Sequence, residues 1–312
     1  MTGPLRSAAL AASLLALAAA AAAAGEATPG LPNLALPTLG GKQLWVDRFI
    51  YAGWRIQENA LTGHHRLLDR DDVRRAWGGY GECLAGFLDL RAETSLRPRS
   101  RHLVLMIHGL GRSKDSFAAL EAALLAAGYE AAGFNYPSLL GGLDRHAADL
   151  VGVLDRLAGA DKVSFVTHSM GALVLRAALA QDGAWRRRVA LGRMVLIAPP
   201  NQGSAVAALV DSIPPLEWIG GHALGDLTPA AVEALPGLAG EFAIIAGGKG
   251  DGKGFNPLIA GDDDGTLAVA ETRLAGVADM LLVRSLHSFV QGHPDTIAAV
   301  LSFLARGRFA GE

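Results

Sequence analysis

Thr167-His168-Ser169-Met170-Gly171 sets a serine between an apolar run, Lys162–Thr167, and a helix-patterned segment, Gly171–Ala180. A sharp strand-to-helix turn of this kind holds a serine Oγ exposed and strained, and the amides that open the helix favour negative charge beside it. The same serine could instead only cap the helix. As a nucleophile it needs a base to take its proton and a carboxylate to steady that base. His222, His287 and His293 lie downstream. His287 is the expected base, because it closely follows the last strand-like run, Asp279–Arg284. His222 falls too early, and His293, just before Pro294, reads as a capping or surface residue.

Asp264 is the expected acid, for its Asp-Gly-Thr-Leu context within Gly261–Leu267, with Asp251 and Asp226 as distant alternatives. Asp262 and Asp263 are left to solvent, to loop hydrogen bonds or to a calcium ion. His168 adjoins the serine but points the wrong way for a base, so it reads as packing or polar support. Attack on a carbonyl also needs donors for the oxyanion. His108-Gly109-Leu110-Gly111 follows another apolar run, and its glycines let the backbone turn an amide inward. The expected donors are the N–H groups of Leu110 and Met170, with His108 bracing the loop. No cofactor or metal is required.

The elements that must hold these groups alternate. His102–Ile107, Tyr129–Phe134, Lys162–Thr167, Arg193–Ala198, Glu241–Ala246 and Asp279–Arg284 read as strands. Ser116–Ala127, Leu143–Leu157, Gly171–Ala180 and Asp295–Ala305 read as helices. Short continuous apolar strands separated by helices predict an α/β fold with a mostly parallel sheet covered on both faces. Upstream, Gln43–Asp69 is β-favouring and is expected to add one or two strands to that sheet. Asp71–Leu90 is expected to be a helix followed by a loop.

Residues 1–24 have the form of a signal peptide: Arg6, then an alanine-leucine run from Ala8 to Ala24 ending in small residues. A periplasmic or secreted protein is expected, an uncleaved membrane anchor being the alternative. Residues 25–40 read as a linker, 41–312 as one domain with 41–100 packed on it as an N-terminal extension, and 201–237 as a possible cap. Cys83 is the lone cysteine, so no intrachain disulfide forms, and it reads as a small buried hydrophobe. A net charge of −2 with no basic stripe argues against nucleic acid.

The set HGLG, THSMG, APPNQGS, DDDGTL and the final LH resembles the bacterial triacylglycerol lipase and esterase branch of the α/β-hydrolases, over roughly Arg101 to Phe309. The resemblance implies an α/β-hydrolase fold, a Ser169–His287–Asp264 triad, an oxyanion hole at Leu110 and Met170, and a small-molecule or lipid ester as substrate, with transient contact at a lipid interface. Thr167 departs from the glycine usual at that position. Acyl transfer or amide hydrolysis on the same triad, and a silent scaffold binding an acyl ligand or a partner, are the competing readings. Trp54-Arg55-Ile56-Gln57 and Thr62–Asp69 resemble a feature of a narrower bacterial subgroup and have no role at this stage.

Overall fold

This computed structural model describes residues 36–37, 43–205, 207 and 225–310. The expected signal segment, most of the linker and His222 lie outside them, as does most of the central part of the expected cap.

The strands β6 (His102–Ile107), β7 (Glu130–Phe134), β8 (Lys162–His168), β9 (Ala190–Ile197), β10 (Phe242–Gly248) and β11 (Asp279–Arg284) form one sheet in the order β11-β10-β9-β8-β6-β7. Every pairing in it is parallel. Side chains alternate along a strand, so each apolar run feeds two cores. On one face Leu105, Phe165 and Leu196 pack with Leu150 and Leu154 of α3 (Leu143–Asp155) and Leu173 of α4 (Gly171–Ala180). On the other, Val104, Met106 and Val166 pack with Leu120 and Leu124 of α2 (Ala118–Ala126) and Val300 and Phe303 of α6 (Pro294–Arg306). Chain order reverses at the β6–β8 boundary, and a crevice opens beyond the carboxyl ends of strands at such a point. The two loops singled out from the sequence leave from these two strands.

Residues 41–100 depart from expectation. Their strands do not join the main sheet. β2 (Trp45–Tyr51), β3 (Trp54–Asn59), β4 (His65–Leu68) and β5 (Val73–Gly78) form a separate antiparallel sheet, with β1 (Leu36–Pro37), inside the expected linker, on its edge. The expected helix over Asp71–Leu90 starts later, as α1 (Tyr80–Thr94), because β5 occupies its first part. One face of this sheet packs Phe49, Ile56 and Leu67 against Cys83 and Phe87 of α1. Burial pushes the Cys83 thiol up to about 12, as fits an inert apolar side chain.

The opposite face holds polar groups. A register shift at Arg48 pairs Asp47 with Gln57 and Phe49 with Ile56, sending the two pairs to different faces. Arg48 itself is re-aimed to Glu58 and to Asp149 of α3. Asp47, fully buried, accepts from Arg55 at 2.7 Å and from Gln57 at 2.8 Å, and Gln57 accepts from Arg66 at 2.7 Å. The Trp-Arg-Ile-Gln and His-Arg-Leu-Leu runs are therefore β3 and β4, which build this network together with Asp47 of β2. Among the described residues no helix is long and apolar enough to cross a membrane.

Candidate active site

Ser169 follows β8 and has a φ of +54°, a left-handed conformation that a non-glycine residue holds only under constraint. Its N–H donates to Ile197 O at 2.9 Å, and Met170, immediately after it, is the N-cap of α4. The turn needs Gly171, since a Cβ there would lie 2.3 Å from the Ile107 carbonyl oxygen. Gly109 is required for the same reason, its Cβ falling 2.9 Å from that of Ser169. Thr167, by contrast, sits in regular pairing with Ile107 and Leu196, so the position that departs from glycine is ordinary strand.

The three side chains selected from the sequence come together. His287 Nε2 lies 2.9 Å from Ser169 Oγ, and His287 Nδ1 lies 2.7 Å from Asp264 Oδ2. A carboxylate only accepts, so Nδ1 carries the proton and Nε2 is left to accept from the serine hydroxyl. The Asp264 carboxylate is almost fully buried, and its other oxygen accepts from the amides of Thr266 and Leu267 at 3.0 and 2.8 Å. The backbone of His287 is held as well, its N–H donating to Asp264 O at 2.8 Å.

His168 acts on the same residue from the far side. Its Nε2–H donates to His287 O at 2.9 Å. Burial first, then the neighbouring His287, holds its pKa well below the usual imidazole value, so it stays neutral. The sequence marked it as packing or polar support without naming what it supports.

Asp262 and Asp263 turn out to organise the loop. Asp262 accepts from the amides of Lys249 and Gly250, and Asp263 from those of Asn256 and Gly265. Their oxygens are used by the backbone, and no cluster of three acidic, histidine or cysteine groups among the described residues could hold a metal. Asp251 is an exposed partner of Lys249, Asp226 accepts from the Leu143 amide at the start of α3, and His293 caps α6.

In the loop after β6, His108 is fully buried and stacked on Tyr136 with ring centroids 4.3 Å apart. Burial lowers its pKa to about 4. Its Nδ1–H donates to Gly109 O and its Nε2 accepts from the Tyr136 amide, while the Tyr136 hydroxyl donates to His108 O at 2.7 Å. Tyr136 was not legible as part of the site, because its partner lies far away in sequence. The amides of Leu110 and Met170 donate to no acceptor among the described residues.

Residues 84–212 match a family model described as a domain of unknown function, DUF7379. No curated protein matches the chain. Among solved structures, the mature form of the Bacillus licheniformis lipase BlEst2 superposes with a TM-score of 0.53 at 18% identity, over 66% of this chain and 91% of that one. Its propeptide form gives 0.55 at 19%, over 67% of this chain and 51% of that one. Phospholipase PlaB from Legionella pneumophila gives 0.52 at 16%, over 66% and 60%. This chain thus spans about half of the propeptide form and nearly all of the mature lipase it matches. At these identities the likeness is one of fold: the chain has the α/β-hydrolase fold.

Proposed function

We propose that this chain is a serine carboxylic-ester hydrolase working through an acyl-enzyme. Fold alone does not fix an activity, so the reading rests on the site. One observation carries it: the unbroken hydrogen-bonded line from Asp264 through His287 to a Ser169 held in a strained turn.

His287 Nε2 takes the hydroxyl proton as Ser169 Oγ attacks the ester carbonyl carbon. The negative charge moves onto the carbonyl oxygen, which the Leu110 and Met170 amides receive. The tetrahedral adduct collapses, the alcohol leaves with the proton from His287, and the acyl group stays on Ser169. Water, deprotonated by His287, then releases the acid and restores the serine. Asp264 stabilises the imidazolium in both halves. Leu286 and Phe289, 43% and 68% exposed, flank His287 and favour an acyl or lipid-like ester over a charged one. The run at residues 1–24 supports export to the periplasm or beyond the cell. The bonds between β2 and the loop after β7 support treating 41–312 as one domain.

A fluorophosphonate probe followed by peptide mapping tests the proposal, with p-nitrophenyl esters of increasing acyl length for turnover. Labelling is expected at Ser169 and is lost in His287→Ala. A wild-type protein that neither labels nor turns over any ester sinks it.

A further inference from the structure

The loop after β6 carries the Leu110 amide, and three of its other backbone groups are bonded from outside it. Tyr136 takes the His108 carbonyl, as described above. The Gly111 N–H donates to Ser138 Oγ at 3.0 Å, and the Arg112 carbonyl accepts from Gln43 Nε2 at 2.6 Å. Ser138 closes the circuit, donating its hydroxyl to Gln43 Oε1 at 3.3 Å. Ser138 is fully buried in the loop after β7, and Gln43 is half-buried in the segment that leads into β2. One amide side chain therefore ties three distant stretches together just after Leu110, while Tyr136 holds the backbone before it.

The anchor behind Gln43 is firm. Asp47 N–H donates to Asn135 O at 2.9 Å, Asn135 N–H donates to the Asp47 carboxylate at 2.7 Å, and Asn135 Nδ2 donates to Trp45 O at 2.9 Å. The separate antiparallel sheet is thus fixed to the main one within a few residues of Gln43. A donor aimed at developing charge works by being fixed beforehand, and small misplacements from outside the site cost rate.

We propose that Gln43 and Ser138 are positioning residues for the oxyanion donor of Leu110, which makes the N-terminal sheet a working part of the active site rather than an appendage. The proposal rests on the ester-hydrolase reading.

The test uses the full chain with p-nitrophenyl butyrate, and phenylboronic acid as a probe whose tetrahedral adduct places an oxygen among the oxyanion donors. Gln43→Glu keeps the shape and the acceptor for Ser138 while replacing the donor to Arg112 with a charged carboxylate oxygen that can only accept. Ser138→Ala removes the hub. Each is expected to lower kcat about 10- to 100-fold and to weaken boronate inhibition by a similar factor, less than the ~10²–10³ typical of deleting a donor outright. KM stays within about twofold, and the midpoint of the pH–rate profile does not move. A purely structural role predicts a lower melting temperature with kcat, KM and boronate affinity at wild-type values in the folded protein, and that result overturns the proposal. So does a loss confined to KM. Should Ser138→Ala fail to fold, Gln43→Glu decides alone. A wild-type protein with neither turnover nor boronate binding removes the ester-hydrolase reading itself; an active wild type with unaffected variants removes only the positioning role.

Discussion

The two sheets treat polar groups in opposite ways. In the main sheet the strands are apolar nearly throughout, and the reactive groups stand on loops beyond their carboxyl ends. In the N-terminal sheet the polar groups lie within the strands, and Asp47, Gln57 and Arg66 are bonded to one another. A buried polar set whose members meet each other's needs holds a shape. A set that ends in a serine hydroxyl and in two amides with no acceptor among the described residues has something left for a ligand. The difference gives a way to separate architecture from chemistry in a chain where both regions are rich in arginine, histidine and aspartate.

The largest test removes the chemistry and leaves the shape. Ser169→Ala and Asp264→Asn should each lower kcat by about 10⁴-fold or more. The urea midpoint of Ser169→Ala should hardly change. A variant that keeps a tenth of wild-type turnover breaks the comparison. Arg55→Met does the reverse. It leaves the fully buried Asp47 carboxylate without its main charge partner, and removing one member of a buried pair typically costs about 3–5 kcal/mol. Urea unfolding should show that loss, while the folded fraction still labels at Ser169.

Acid should next reveal which region holds neutral imidazoles. Burial lowers both His108 and His146 to about 4 from an ordinary value near 6.5. Between these limits the unfolded chain binds more protons than the native one, so stability falls as pH falls from about 6.5 towards 4. Each group contributes up to about 3 kcal/mol at ~1.4 kcal/mol per pKa unit. His146 packs on Tyr136 behind the loop after β6, and His146→Leu should flatten the acid limb seen in thermal melts. An unchanged limb would show that other groups carry it. The smallest effect is expected from His168→Leu, which drops the bond to the His287 carbonyl. A decrease in kcat of about tenfold with little change in KM is predicted from steady-state kinetics, and equal kcat would assign His168 to packing alone.

The sequence disclosed these two regions unequally, for a physical reason. A strand covered on both faces must be apolar throughout, so His-Leu-Val-Leu-Met-Ile is legible as β6 without any partner in view. Gly171 is legible because a close approach allows only a small residue there. The strands β3 and β4, Trp-Arg-Ile-Gln-Glu-Asn and His-Arg-Leu-Leu, carry buried arginines that a strand can hold only when a partner stands opposite. Those partners, Asp47 for Arg55 and Gln57 for Arg66, stand on neighbouring strands whose pairing the sequence does not display, so β5 resembled the start of a helix and the rest of the sheet resembled one or two strands of the main one. Ser169, Asp264 and His287 could be selected because each ends or follows a recognisable strand. Tyr136, Ser138 and Gln43 end no motif, and their part emerges only from contacts between segments.

Cys83 lies sealed between α1 and the antiparallel sheet, and it is the chain's one sulfur nucleophile. A maleimide dye or spin label offered to the folded protein should therefore find nothing to react with. Substitutions such as Leu286→Cys or Phe289→Cys would each add a single accessible attachment point beside His287 against that silent background. The rim could then be followed by fluorescence or magnetic resonance with the unaltered protein as its own blank.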